Sequence, residues 1–416
     1  MPARRLAARW LVPIEGPPVE HGALLIGSDG RIAAVGPDSS VPKPPDVEAE
    51  SFDDAILLPG LINTHTHLEL TGLAQAAPGA DFPAWIRRLR QRKAERSAEE
   101  FLAAAHQGIE DCWAAGVTTV GDTGDSGSVI QALAERGGSG LAYQEVFGPH
   151  PAQCEESLAG LQQRVEALAA YAVGRVRIGV SPHAPYTVSG RLFGATARWA
   201  GHETLPMAVH LAESPAEVEL LASGTGGFAD AWHARGIPLP SPLGRTPVEW
   251  LECHDALSDR TLCIHLVQVT SSDISLLARA AASVAHCPLS NSAHKHGIAP
   301  LRSLLNAGLR VGVGTDSVIS VESLDLLAEA RAAALLADLD SSGALALCTI
   351  SAARALGMDA AIGSLRVGKW GDCTVVRPHP ASAGLEPAAR VLRSRRRDVM
   401  ATFVGGKDVH RVERMV

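Results

Sequence analysis

The sequence predicts an α/β protein: a (β/α)8 TIM-type barrel over residues 60–366, joined to a small discontinuous β-sandwich domain made from residues 1–59 and 367–416. Three observations predict it. Eight short β-branched or apolar runs alternate with Ala-, Leu-, Arg- and Glu-rich segments of helical spacing. Eight βα units in one block close most simply as a barrel. Both chain ends instead carry short alternating pieces punctuated by Gly and Pro.

Taken in order, residues 23–26 and 31–35 read as strands, and Asp29-Gly30 between them is a hairpin signal. The Pro-rich stretch 37–45 reads as a linker within the small domain. Barrel strands are expected at 61–67, 117–122, 141–147, 176–182, 207–211, 262–266, 283–286 and 311–316. Good helix formers lie between or after them at 99–115, 155–171, 216–222, 273–282, 301–307 and 324–336. Strand signals return at 372–376, 399–404 and 409–412, and these are expected to pair with the N-terminal pieces. Five arginines in 390–397 read as a solvated surface in a chain of net charge −8.

Composition excludes several function classes. Hydrophobic residues at 46% and charged residues at 20% are ordinary for a packed protein and unlike disorder. The negative net charge argues against binding along a phosphate backbone, and 4% aromatics against a stacking platform for single strands, so no nucleic-acid partner is expected. Arg9 and Pro13 interrupt the N-terminal apolar stretch, and no apolar run reaches about 18 residues, so neither a signal peptide nor a membrane span is expected. Seven scattered cysteines without a CxxC point to reduced thiols and a cytoplasmic location.

The chemistry concentrates at strand ends. His65 and His67 end the first barrel strand, and a spacing of two puts both on one face. His210 ends the fifth strand, His265 the sixth, His286 the seventh and Asp316 the eighth. In a (β/α)8 barrel all these ends meet at one mouth. One histidine at a strand end is ordinarily structural; this many ionisable groups in an apolar barrel are costly to bury without an ion. Imidazoles and one carboxylate, with no thiolate, suit zinc or ferrous iron. Glu213, three residues past His210, is placed to move a proton at such a site, its blander reading being a helix-start carboxylate.

The string Leu58-Pro59-Gly60-Leu61-Ile62-Asn63-Thr64-His65-Thr66-His67 resembles the amidohydrolase superfamily. So do His210-Leu211-Ala212-Glu213, Ala285-His286-Cys287-Pro288-Leu289-Ser290-Asn291, Gly314-Thr315-Asp316-Ser317 and the return segment 362–372. The likeness covers essentially the whole chain and is to the mononuclear, metal-dependent deaminase branch. Binuclear members use a carboxylated lysine from a middle strand, and this chain has no lysine between Lys93 and Lys295. The resemblance implies that His65, His67, His210 and Asp316 hold one divalent transition metal, zinc ahead of iron. It implies Glu213 as the proton shuttle, His265 as the water-orienting residue, and Asp316 as acceptor of a proton from the attacking water. His286 acquires no role from it and is expected behind the site.

The implied reaction is hydrolytic deamination of a cyclic amidine, a metal-activated water attacking purine C6 with release of ammonia. The segment Pro182-His183-Ala184-Pro185-Tyr186-Thr187 resembles a purine-contacting stretch of adenosine-type deaminases, so His183 is expected to bind substrate, with Ser290 and Asn291 on the same wall. His67-Leu68-Glu69-Leu70, the stretch from Asp81 to Arg88, and the stretch from Gly244 to Leu251 resemble deaminases of aminodeoxyfutalosine in menaquinone biosynthesis. That nucleoside carries a benzoate arm, for which Arg87 or Arg88 is expected to supply a guanidinium, and Glu69 is expected among the contacts. Trp85 is expected in the core. The alternatives are S-adenosylhomocysteine or adenosine deamination, guanine deamination, and triazine dechlorination. A homodimer is compatible with this reading. His210 and His265 are 55 positions apart, and the Gly/Pro-rich part, 223–247, is expected to cover part of the mouth.

Overall fold

The computed structural model describes residues 2–73 and 81–412. The N-terminal strands are β1 (Arg4–Leu11), β2 (Val19–Ile26), β3 (Ile32–Pro37) and β4 (Glu48–Pro59). The barrel strands are β5 (Leu61–Thr66), β6 (Val117–Gly124), β7 (Gly140–Val146), β8 (Val176–Pro182), β9 (Met207–Leu211), β10 (Thr261–His265), β11 (Ser283–His286) and β12 (Arg310–Val313). The chain ends with β13 (Cys373–Val376), β14 (Val399–Val404) and β15 (Lys407–Arg411).

Strands β5 to β12 form one eight-stranded sheet in sequential order, each neighbouring pair parallel. The sheet closes where Asp316 N–H donates to the His65 carbonyl at 3.0 Å. Asn63 fastens the same seam: its Nδ2 donates to Thr315 Oγ1 at 2.8 Å and its Oδ1 accepts the Thr315 N–H at 3.1 Å. Gly314 allows this approach, since a Cβ there would sit 2.7 Å from the His65 backbone nitrogen. The seam thus sets His65 and Asp316 side by side.

Strands are buried on both faces, which is why they read as continuous apolar runs. Inside the barrel, Ile62, Leu141, Tyr143, Leu262 and Ile264 pack on the helix Ile350–Ala355, which fills the end away from the mouth. Outside, helix faces cover the strands in a larger core.

The two chain ends form one continuous seven-stranded mixed sheet, ordered β15-β14-β13-β4-β1-β2-β3, where a sandwich was expected. The reason is β4, which pairs in parallel with β1 and antiparallel with β13, so both ends share one strand. The Asp29-Gly30 hairpin joins β2 and β3, with Gly30 in the left-handed region at φ 79°. All seven cysteines are free. Among the described residues no helix is long and apolar enough to cross a membrane.

Candidate active site

His65 and His67 project from the end of β5, and the two-residue period places both at the mouth. Both Nε2 atoms lie 3.5 Å from Asp316 Oδ1. His210, on β9, brings its Nε2 to 3.3 Å from His67 Nε2. The His65 ring centroid is 4.9 Å from that of His210 and 5.8 Å from that of His265. Candidate ligand atoms of His65, His210 and His265, and of His65, His67 and Asp316, lie within 4.8 Å of one another.

This donor set fits a metal ion. Both His65 ring nitrogens are buried without a hydrogen-bond partner. Leaving such atoms unmet costs about 1–3 kcal/mol each, and a cation at the shared position would meet them. Burial pushes His67 down to about 4 and His210 and His265 well below the usual imidazole range, so the rings are neutral, which is the ligating form. Burial opposes ionisation of Asp316, but the neighbouring imidazoles of His65, His67 and His265 hold it well below the usual carboxylate range.

Backbone conformation aims these side chains. His265 at φ 75° and Asp316 at φ 60° are non-glycine residues in the left-handed region. Such residues cost on the order of 1 kcal/mol or more and persist where the surroundings over-determine them. Behind β5, Asp122 Oδ2 accepts the Thr66 hydroxyl and the Leu68 N–H, both at 2.7 Å.

Glu213 sits in the bend between β9 and the helix Pro215–Ser223. Glu217, in the first turn of that helix, ties the bend down by accepting the Ala212 N–H at 3.0 Å and the Glu213 N–H at 2.9 Å. The Tyr186 hydroxyl donates to Glu213 Oε2 at 2.9 Å. Glu213 Oε1 lies 3.5 Å from His265 Nε2 and 3.7 Å from His296 Nδ1. Burial, then the charges of Asp316 and Glu217, raise the Glu213 carboxyl well above its ordinary range, which favours its protonated form.

One cavity contains His67, His210, Glu213, His265 and Asp316. His183 also lines it, with Nδ1 hydrogen-bonded to Thr187 Oγ1 at 2.8 Å and its ring 4.6 Å from that of His210.

Ser290 and Asn291 do not line this cavity. They lie on the helix Pro288–Ala293 and face the reactive groups from behind. The Ser290 hydroxyl donates to Asp316 Oδ2 at 2.5 Å, and Asn291 Oδ1 accepts from His265 Nδ1 at 2.9 Å. Glu69 is turned away by the short 3-10 turn Leu68–Leu70, and its carboxylate accepts from Lys93 Nζ at 2.6 Å and the Ser126 N–H at 3.1 Å. His286 Nδ1 faces the His265 carbonyl at 3.3 Å, and its Nε2 is buried without a partner.

The arginine expectation shifts by one helical turn. On the helix Phe82–Ala94, the residues facing the cavity are Phe82, Trp85, Ile86, Leu89, Arg90 and Lys93. That is the three-to-four spacing of a single helix face. Arg87 lies on a smaller adjoining lobe and Arg88 on neither. Trp85 was expected in the core; it is buried, yet it forms cavity wall, its ring 4.6 Å from that of His294. Sequence reasoning also missed Glu145, Phe147, Tyr186, His294 and His296. Glu145 and Phe147 lie at the end of the third barrel strand, where strand-end reasoning reaches them. His294 has no such strand-end signal, and His296 follows it.

The amidohydrolase family model matches residues 56–409, and the chain belongs to that family. Its enzyme class is accordingly a hydrolase of C–N bonds. It is 31% identical over 413 residues to a 5-methylthioadenosine/S-adenosylhomocysteine deaminase of Moorella thermoacetica, covering 95% of this chain and 91% of the relative. It is 32% identical over 318 residues to an aminodeoxyfutalosine deaminase of Deinococcus radiodurans, covering 74% of each. Among solved structures, an adenosine deaminase from Xanthomonas campestris with bound zinc is similar at TM-score 0.85 and 26% identity, covering 97% of this chain and 92% of the other.

Proposed function

We propose that this protein is a hydrolytic deaminase of adenine nucleosides, with aminodeoxyfutalosine as its preferred substrate and a place in menaquinone biosynthesis. The observation that carries the reaction is Glu213: a buried carboxyl, its proton affinity raised by burial, sharing one cavity with His67, His210, His265 and Asp316. The chemistry needs a group that can give a proton to a ring nitrogen and later to a leaving amine. The relatives named for adenine-nucleoside substrates support this class.

His65, His67, His210 and Asp316 would hold the metal, zinc ahead of iron. Such an ion polarises a water and lowers its pKa towards neutrality. Glu213 presents Oε1 to the cavity while Oε2 is occupied by Tyr186. From Oε1 it delivers its proton to the ring nitrogen beside the reacting carbon. The carboxylate left behind takes up the proton that the attacking oxygen gives up and passes it to the amino group, which leaves as ammonia as the carbon–nitrogen bond breaks. His265 gives its Nδ1 proton to Asn291 Oδ1, which leaves Nε2 as a bare acceptor aimed into the cavity. It orients the attacking water and takes up part of the developing charge. Ser290 holds one oxygen of Asp316, so the other faces His65 and His67. His183 and the apolar walls Leu70, Phe82, Trp85 and Phe147 suit a flat heterocycle.

The motifs around Glu69, Trp85 and Arg245 support aminodeoxyfutalosine. A second reading, deamination of 5-methylthioadenosine or S-adenosylhomocysteine, is favoured by the longer match to the Moorella relative. The test is ammonia release from a panel of adenosine, 5-methylthioadenosine, S-adenosylhomocysteine and aminodeoxyfutalosine, beside guanine and a chlorotriazine. The highest kcat/KM is expected for aminodeoxyfutalosine. Turnover of guanine or triazine with all four nucleosides untouched would overturn the proposal.

A further inference from the structure

The catalytic cavity continues into a second, smaller lobe. The two share Ile86, Arg90, Phe147, Tyr186 and Thr187 along their common wall. The lobe is closed by the helix Gly226–His233, part of the long segment between β9 and β10. That helix packs tightly on the helix Phe82–Ala94: a Cβ at Gly227 would lie 3.1 Å from Pro83 Cγ. It contributes Phe228, whose ring stacks on Tyr186 at 4.4 Å and 9°, and Trp232, whose Nε1 donates to the Tyr186 carbonyl at 3.0 Å. With Phe147 and Pro149 these make ring-faced walls.

Three arginines line the lobe: Arg87, Arg90 and Arg235. Arg87 and Arg90 are one turn apart on one helix, and Arg235 lies just beyond the end of the other. No aspartate or glutamate is among the described residues that line it. None of the three has an ion pair or hydrogen bond among the described residues. Arg175, by contrast, is paired with Asp372 and Arg411 with Glu50. Converging cations repel one another, and in a chain of net charge −8 their grouping without a carboxylate is a departure that an anionic ligand would offset.

We propose that this lobe is an anion subsite, in which Arg90 and Arg235, helped by Arg87, take a carboxylate carried on a ring-bearing 5′ arm of the nucleoside. The inference rests on the adenine-nucleoside reading and adds to it which residues select the arm. Guanidinium forks pair with carboxylates in two parallel bonds, and the aromatic walls take the apolar part of the arm. A neutral arm would reach the same walls and leave the arginines unanswered.

The experiment compares two adenine nucleosides whose 5′ arms end in a benzoate or in its methyl ester, with wild type, Arg90→Gln, Arg235→Gln, the double variant and Arg90→Lys. Wild type should prefer the acid by about 10- to 100-fold in kcat/KM, mainly through KM, the range expected for a lost charged hydrogen bond. Each Gln variant should lower that ratio, the double variant should bring it near one, and Arg90→Lys should restore part of it. All three arginines are exposed, so the replacements leave the core intact. If acid and ester react alike in wild type, or the ratio survives in the double variant, the subsite is wrong while the deaminase reading stands. If neither nucleoside nor adenosine is deaminated, the deaminase reading fails and the subsite with it.

Discussion

The hydroxyl of Tyr186 donates a 2.9 Å hydrogen bond to Oε2 of Glu213, joining the loop after β8 to the bend after β9. It fixes which oxygen of the carboxyl is free to exchange a proton. Glu213→Gln keeps the shape and loses the proton, so it should retain metal while turnover falls about 10²- to 10⁴-fold. Tyr186→Phe should cost about tenfold, one buried hydrogen bond. It should also move the alkaline limb of the rate profile to higher pH, because donation by the phenol lowers the Glu213 pKa. Metal content and a pH–rate profile of both variants check this. A fully active Glu213→Gln would remove the proton-shuttle assignment.

Asn291 and Ser290 touch His265 and Asp316, and neither lines the cavity. Asn291→Ala should therefore lower kcat by about tenfold or more with little change in KM, since it frees the His265 ring to change tautomer. Ser290→Ala should behave alike through Asp316. Steady-state kinetics separates the cases: a raised KM with unchanged kcat is what direct substrate contact would give.

Metal removal should both inactivate and destabilise. His65 offers two buried nitrogens with no partner in the protein, so the fold carries unmet polar groups that the ion satisfies. A ligand present at about 100 times its Kd stabilises the folded state by about 2.7 kcal/mol. Chelated protein should melt several degrees lower in a thermal scan, and added zinc or ferrous iron should restore both melting temperature and activity. His65→Ala should show no such recovery. Equal melting with and without chelator would argue against a resident ion.

Much of this was legible in the sequence, for physical reasons. Parallel strands buried on both faces announce themselves as apolar runs, so all eight barrel strands could be placed. A barrel brings strand ends together, so His65, His67, His210, His265 and Asp316 could be grouped from spacing alone. What lies off the strands was less legible. Glu69 and Lys93 pair across a short turn and a helix, and Arg90 replaces Arg87 in the catalytic cavity by one helical turn. Ser290 and Asn291 were recognisable as part of a motif, yet a motif does not tell which way a side chain faces. The sandwich became one sheet because β4 pairs on both edges, and pairing between distant segments leaves no local signal.

His286 offers a test through pH. Its ring is buried, and burial pushes it down to about 4. A base whose folded pKa lies below its unfolded value stabilises the fold above the unfolded pKa, and that contribution drains away as pH falls towards the folded value. For His286 the window runs from about 6.5 down to about 4. At pH 5 about 2 kcal/mol of this contribution should be gone, from 1.36 kcal/mol per pKa unit. His286→Asn removes the titrating ring and leaves a small cavity, so it should be the less stable protein at pH 7.5. Its deficit should shrink by about that amount at pH 5, because only the wild-type unfolded chain takes up a proton at this ring that the folded, buried imidazole does not. Denaturant melts of the two metal-loaded proteins at both pH values measure the difference directly, and metal-ligand titrations common to both cancel. A deficit that stays the same at pH 5 would mean that His286 is not neutral and buried as described.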